Sequence, residues 1–305
     1  MRSYFIKRTF SSLMTLFIVI TVTFFIFRLT PGSPFDTEKT WPPEIKLAIE
    51  QKYGLNQPLL TQFIEWIKDV LEGDFGYSFQ YPDTRVSDII IQQIPMSFTI
   101  GIFALILAWI LAIVAALGSY QYRESWIDKV TTFISTMRVS LPLYLTATLL
   151  ILFFSNYLKL LPPALYDDPT SLILPVIALS LKPFSLITRL LKVSLIEIEN
   201  SFYIKTAFSK GLSKKKVLVK HFLKNAIISP WAMMGPMIAS LLTGSFVIEL
   251  IFQLPGIGYT FVSSVINRDY PLVIAITLIY GSILISANFI SDLLLSKIDP
   301  RIQFS

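Results

Sequence analysis

The chain has 305 residues, of which 53% are hydrophobic and 15% charged, with a formal net charge of +6 and a mean hydropathy of +0.63. That mix excludes an ordinary soluble domain of this length. The lack of cysteine and the lone histidine, His221, exclude a disulfide framework, a thiolate metal site and a histidine cluster.

Six apolar runs are long enough, at about 20 residues, to cross a hydrocarbon core about 30 Å thick as helices. They cover residues 10–29, 94–119, 130–158, 172–191, 227–252 and 272–295. The first follows Arg2, Lys7 and Arg8 but exceeds a signal-peptide core in length, and no small-x-small site follows it, so a retained span is expected.

Between the first two runs lies a long acidic loop, 30–93. Within it PPEIKLAIEQKYGL and PLLTQFIEWIKDVLEGDFG show helical periodicity, the second through Leu59, Phe63, Trp66, Ile67, Val70 and Leu71. Prolines at their starts and glycines at their ends predict two short helices. These could form a platform for a partner or a lid over the span ends, and the residues alone leave both open.

The spans carry few charges. Arg138 lies about two turns into the third, Lys182 about halfway along the fourth beside Pro183, and Glu249 near the end of the fifth before PGIG, which should turn tightly. A cation at the membrane centre costs roughly 2.5 to 3.5 kcal/mol if it faces lipid, so these side chains should face protein or water. They are candidates for a translocation path, or for structural pairs and interfacial positions. Asp292, near the end of the last span, is matched with Arg189. Pro95, Pro142, Pro175 and Pro183 fall at or inside spans, and kinks are expected near Pro142 and Pro183.

The Lys/Arg distribution orients the chain. Basic residues crowd the N-terminus, the segment around Arg123 and Lys129, and above all the stretch from Arg189 to Lys224, so these are expected to be cytoplasmic, as are both termini. No phosphate-binding GxxxxGK[ST], GxSxG or HExxH motif is present, and no enzymatic activity is expected.

The basic stretch YIKTAFSKGLSKKKVLVKHFLKNA, 203–226, has Ile204, Ala207 and Phe208, then Leu212, and later Val217, Leu218, Phe222 and Leu223 at helical spacing, with Gly211 dividing it into two halves. Gly211 can end one short helix in the left-handed conformation, and Ser213 can cap the next. Such an element can insert an apolar ridge into a partner's groove or lie on anionic lipid, and both readings stay open.

The same stretch resembles the EAA loop of binding-protein-dependent ABC importer permeases, with Lys205-Thr206-Ala207, three residues, then Gly211. Further strings match in order over nearly the whole chain: TPGSPF, PPEI, YGL-x-QPL, GDFG-x-SF, ILPVIALS, TGSFVIE-x-IF, PGIG, NRDYP and DPRI. Together they are similar to the oligopeptide and dipeptide permease B family.

The resemblance implies an all-α type I importer permease fold with six transmembrane helices. It divides the chain into 1–93 (first span and outer loop), 94–295 (core, with a coupling loop at 193–226) and a tail, 296–305. It also implies a homologous second permease, two ATPase subunits that use the ATP, an extracytoplasmic peptide-binding protein, and no cofactor bound by this chain. The implied location is a bacterial or archaeal inner membrane.

Oligopeptide import by alternating access is the expected function, with dipeptides or nickel chelates as alternative cargo. An ion-coupled secondary transporter is the rival of another class, disfavoured by the scarcity of acids in the spans. The implied coupling residues are Lys205, Thr206, Ala207, Gly211 and Leu212. Lys205 stands where the motif's glutamate would be, so a glutamate-based salt bridge to the ATPase does not carry over, and docking is expected to lean on Ala207, Gly211, Leu212 and the apolar face.

Overall fold

The computed structural model describes residues 2–29, 54–81 and 83–298, and the side chains of these except 2–6, 138–140, 215, 243–244 and 292–298. Among the described residues the fold is all-α, with no strand beyond a single bridge between Tyr77 and Arg85. In chain order the helices are α1 (Arg2–Leu29), α2 (Leu59–Leu71), α3 (Val86–Gln121), α4 (Trp126–Ser140), α5 (Leu143–Leu150) and α6 (Ile173–Glu199). They continue with α7 (Phe202–Ser209), α8 (Lys214–Val217), α9 (Ile228–Ala232), α10 (Met234–Ile251), α11 (Ile257–Ile266) and α12 (Tyr270–Ile298).

Five of the six predicted spans correspond to helices long and apolar enough to cross a membrane, contained in α1, α3, α6, α10 and α12. The predicted third span, 130–158, is instead two helices. Pro142 removes a backbone donor and forces Leu141 into extended geometry (φ −92°, ψ 125°), which ends α4 at Ser140. The chain restarts as α5 and runs on through a π-helical stretch, Ile151–Tyr157. Thus the break expected near Pro142 is present, whereas α6 continues as one helix through Pro183 and α3 through Pro95.

Packing groups the chain into two compact units, Met1–Met96 with Pro255–Ile285 and Ser97–Leu254 with Ser286–Ser305. Residues 255–285 thus group with the N-terminal part.

In the first unit α2 lies where the sequence puts the second loop helix; the first, 42–55, falls almost wholly outside the described residues. Phe63 is buried, and Trp66 and Ile67 pack with it against Phe24, Tyr270 and Ile274. Leu71, at the helix end, is 82% exposed and leaves the predicted apolar face.

A carboxylate ties this unit together. Arg268 adopts a left-handed conformation (φ 56°) at the end of α11, which delivers Asp269 to the start of α12. Fully buried Asp269 accepts the Ser78 hydroxyl, the backbone N–H groups of Phe79 (3.1 Å) and Gln80 (3.3 Å), and more weakly that of Leu272 (3.5 Å) in the first turn of α12. The strings GDFG-x-SF and NRDYP, some 190 positions apart, are therefore one structural feature.

The second unit is built on small and branched apolar residues. Ala108, Ala112 and Ala116 of α3 form one cluster with Ile187, Leu191 and Leu195 of α6 and with Ile204, Val217, Phe222 and Ala226 of the basic stretch. At another contact in this unit α10 meets the end of α12 closely, since a Cβ on Gly235 would fall 3.3 Å from the Asn288 Cα.

Candidate functional site

The basic stretch forms the predicted helix, turn and helix. At its centre Gly211 takes φ +74°, its N–H donates to the Phe208 carbonyl (2.9 Å), and the Leu212 N–H reaches the Ala207 carbonyl (3.4 Å). This is the paired bonding of a Schellman motif, in which a left-handed residue satisfies the last carbonyls of a helix. The Ser213 carbonyl then accepts the Val217 N–H (3.0 Å) and opens α8. A π-helical stretch, Leu218–Leu223, follows, so Val217 and Phe222, five positions apart, share the buried face.

The apolar stripe seen in the sequence faces inward. Ile204 and Ala207 are 1% and 4% exposed, Leu212 is half-buried, and all three belong to the apolar cluster of the second unit. Lys205, Thr206 and Gly211 are exposed, and a Cβ on Gly211 would meet open space. Outward-facing apolar surface comes from Phe202, 86% exposed, and Tyr203, 43% exposed, neither of them in the stripe, together with one stripe residue, Phe208, at 44%. The Lys205 ammonium lies over the Phe202 ring at 5.8 Å, and the Tyr203 hydroxyl accepts from the Asn225 amide (3.2 Å). The adjacent aromatics Phe202 and Tyr203, out of phase with Ile204 and Ala207, were the available signal.

Two charge contacts brace the base of this loop. Asp128, in the first turn of α4, pairs with Lys192 of α6 and accepts from the Ser119 hydroxyl and the Glu124 N–H (3.2 Å). These partners, Lys192 and Ser119 first, pull its carboxyl down to about 2. Arg123 pairs with Glu199 at 2.7 Å, one turn before α7, and lies over the Tyr120 ring at 4.6 Å.

Of the charges predicted inside the spans, Lys182 and Glu249 have described side chains, and they sit in different surroundings. Lys182 is exposed on α6 and makes no ion pair among the described residues. Glu249, in the last turn of α10, is fully buried. The side chains of Arg138 and Asp292 lie outside the description, and with the latter the suggested pair to Arg189, which is itself exposed.

The architecture thus combines long apolar helices with an externally presented helix-turn-helix braced on two of them. Two family models match this chain: binding-protein-dependent transport system inner membrane component over residues 108–304, and the N-terminal region of such membrane components over 1–101. The chain belongs to this permease family.

Among curated relatives, the oligopeptide transport system permease protein OppB of Haemophilus influenzae is 39% identical over the full length of both chains. The dipeptide transport system permease protein DppB of Bacillus subtilis is 38% identical over 99% of this chain and 98% of the relative. The OppB of Escherichia coli K12 is 39% identical, again over both full lengths.

Two solved structures share the fold. One, described as an amino acid ABC transporter with histidines, has a TM-score of 0.54 and 16% identity and covers 71% of this chain and 95% of its own. The other, an inward-facing MetNI methionine ABC transporter, has a TM-score of 0.54 and 14% identity and covers 70% and 94%. The protein is accordingly a multi-pass inner membrane permease of the oligopeptide and dipeptide type, a transport component rather than an enzyme.

Proposed function

We propose that this permease forms half of the translocation pathway of an ATP-driven oligopeptide importer and is driven by an ATPase that docks on residues 202–212. A homologous second permease supplies the other half, two ATPase subunits consume the ATP, and an extracytoplasmic binding protein delivers the peptide. Both termini and the basic loop face the cytoplasm. Arg138, Lys182 and Glu249 are the candidate groups along the path, and dipeptide import is the second reading, favoured by the similarity to DppB.

The observation that carries the docking reading is the outward ridge of Phe202 and Phe208 on a helix whose other face is locked into the bundle. A helix fixed at its base and closed by a rigid turn transmits a push; a loose loop would absorb it. Ala207 and Leu212 act here by seating the helix, Lys205 and Thr206 by bordering the ridge, and Gly211 by closing the turn where a partner can approach closely.

The test is co-purification of the ATPase subunits and ATP-dependent uptake of labelled oligopeptide in proteoliposomes, for wild type, Phe202→Ala, Phe208→Ala and Gly211→Val. Loss of an exposed aromatic that becomes an anchor in the interface should weaken ATPase association roughly tenfold or more. Uptake should fall with it. Unchanged association and uptake in all three variants would overturn the docking reading, and equal uptake of dipeptides would decide for the second reading on cargo.

A further inference from the structure

The segment that returns from the turn to α9 carries a row of cations with no part in the docking ridge. Lys216, Lys220 and Lys224 are all exposed, four positions apart, and none has a carboxylate within ion-pair distance among the described residues. The opposite face of the same segment is the buried Val217, Phe222 and Ala226.

Its depth follows from what that buried face touches. Phe222 packs on Tyr120, in the last turn of α3, with ring centroids 5.6 Å apart. Ala226 joins the cluster containing Ala108 to Ala116 of α3 and Leu191 and Leu195 of α6, which are parts of candidate spans. Directly beyond α3 the exposed aromatics Tyr122 and Trp126 stand where aromatic side chains mark a headgroup region.

The lysine row therefore begins at the level where α3 leaves its apolar stretch and points away from the bundle. A lysine at that depth extends its stem along apolar surface and places its ammonium among lipid phosphates.

We propose that Lys216, Lys220 and Lys224 hold the headgroups of anionic phospholipids, anchoring the return segment to the bilayer surface. The proposal rests on the chain's place in the membrane and is independent of the docking reading. An acidic surface on an ATPase subunit is the rival occupant. The seating of this segment on span residues, with exposed Val219 within the row, favours lipid.

The experiment uses the full chain reconstituted in phosphatidylcholine bilayers containing spin-labelled phosphatidylglycerol or spin-labelled phosphatidylcholine, with the motionally restricted fraction giving the selectivity between them. Wild type should select phosphatidylglycerol, and high salt should reduce that preference. The triple change Lys216→Gln, Lys220→Gln and Lys224→Gln should lower the selectivity roughly tenfold or to none. The corresponding triple arginine variant should retain it, and the double change Lys210→Gln and Lys214→Gln should leave it in place.

Undiminished selectivity in the triple glutamine variant would overturn the proposal. So would an equal loss in the Lys210 and Lys214 variant, since net charge alone would then suffice. If the triple glutamine variant kept its lipid selectivity but no longer co-purified with the ATPase, the row would belong to the protein partner and the proposal would fail.

Discussion

The two compact units hold their returning segments by different means. In the first, the 76–81 loop is fixed by one buried carboxylate that gathers a hydroxyl and backbone N–H donors. In the second, the basic stretch is fixed by apolar packing of Ile204, Ala207, Val217, Phe222 and Ala226. Hydrogen bonds to a buried charge are directional, and the desolvation cost of the charge is offset only while its partners are in place. Apolar packing is graded: each methylene contributes about 0.8 kcal/mol and a neighbour can shift to fill part of a gap. The first device suits a part that must hold one shape, the second a part that can yield slightly under load.

Isosteric changes should expose that contrast. Asp269→Asn alters almost no volume, but one side-chain oxygen becomes an amide NH2, which faces either the Ser78 hydroxyl and the Gln80 N–H or the Phe79 and Leu272 N–H groups, so buried N–H donors lose their carboxylate acceptor. A loss of about 3 kcal/mol is expected. It should register as a lowered unfolding midpoint in detergent and as new protease cleavage confined to 76–81. Phe222→Leu, a conservative swap at a comparably buried site, should cost only about 1 kcal/mol. Equal losses at the two positions would mean that the clamp is no more directional than the apolar seat.

Gly211→Ala sits between these regimes, because it adds no clash and changes no partner. The added methyl meets open space, so the cost is that of a left-handed conformation alone, about 1 kcal/mol. Gly235→Ala should cost more, since there the Cβ would crowd the Asn288 Cα, and the difference between the two midpoints separates strain from overlap.

The contrast also accounts for what the sequence reveals. Apolar runs, the α2 face with Phe63 and Trp66, and the turn at Gly211 are local patterns, set by helical period and by the one residue that takes positive φ at little cost. The break at Pro142 is equally local. Asp269 was legible only as part of a recurring string, because its partners lie far away in the chain and nothing in the spacing of NRDYP points to Ser78. What the apolar stripe of the basic stretch packs against is not legible, for a different reason. Periodicity identifies an apolar face but not what covers it, and here the covering surface is the permease's own α3 and α6, with Phe202 left outside.

Asp128 gives the effect that titrates. Lys192, Ser119 and Glu124 favour its ionised form in the folded protein, holding the carboxyl near 2 against an ordinary 3.8. A depressed folded value stabilises the fold in full above the ordinary value, and that stabilisation is lost as pH falls through 3.8 toward 2. After allowance for screening close to the surface, the contribution is about 1 to 2 kcal/mol. Wild type should therefore unfold a few degrees above Asp128→Asn at neutral pH, as followed by tryptophan fluorescence with Trp126 two positions away, and the gap should close as the carboxyl protonates. A gap that persists at low pH would assign the contact to packing. The loop base would then be apolar like the seat above it, and the two units would differ less than their hydrogen bonds suggest.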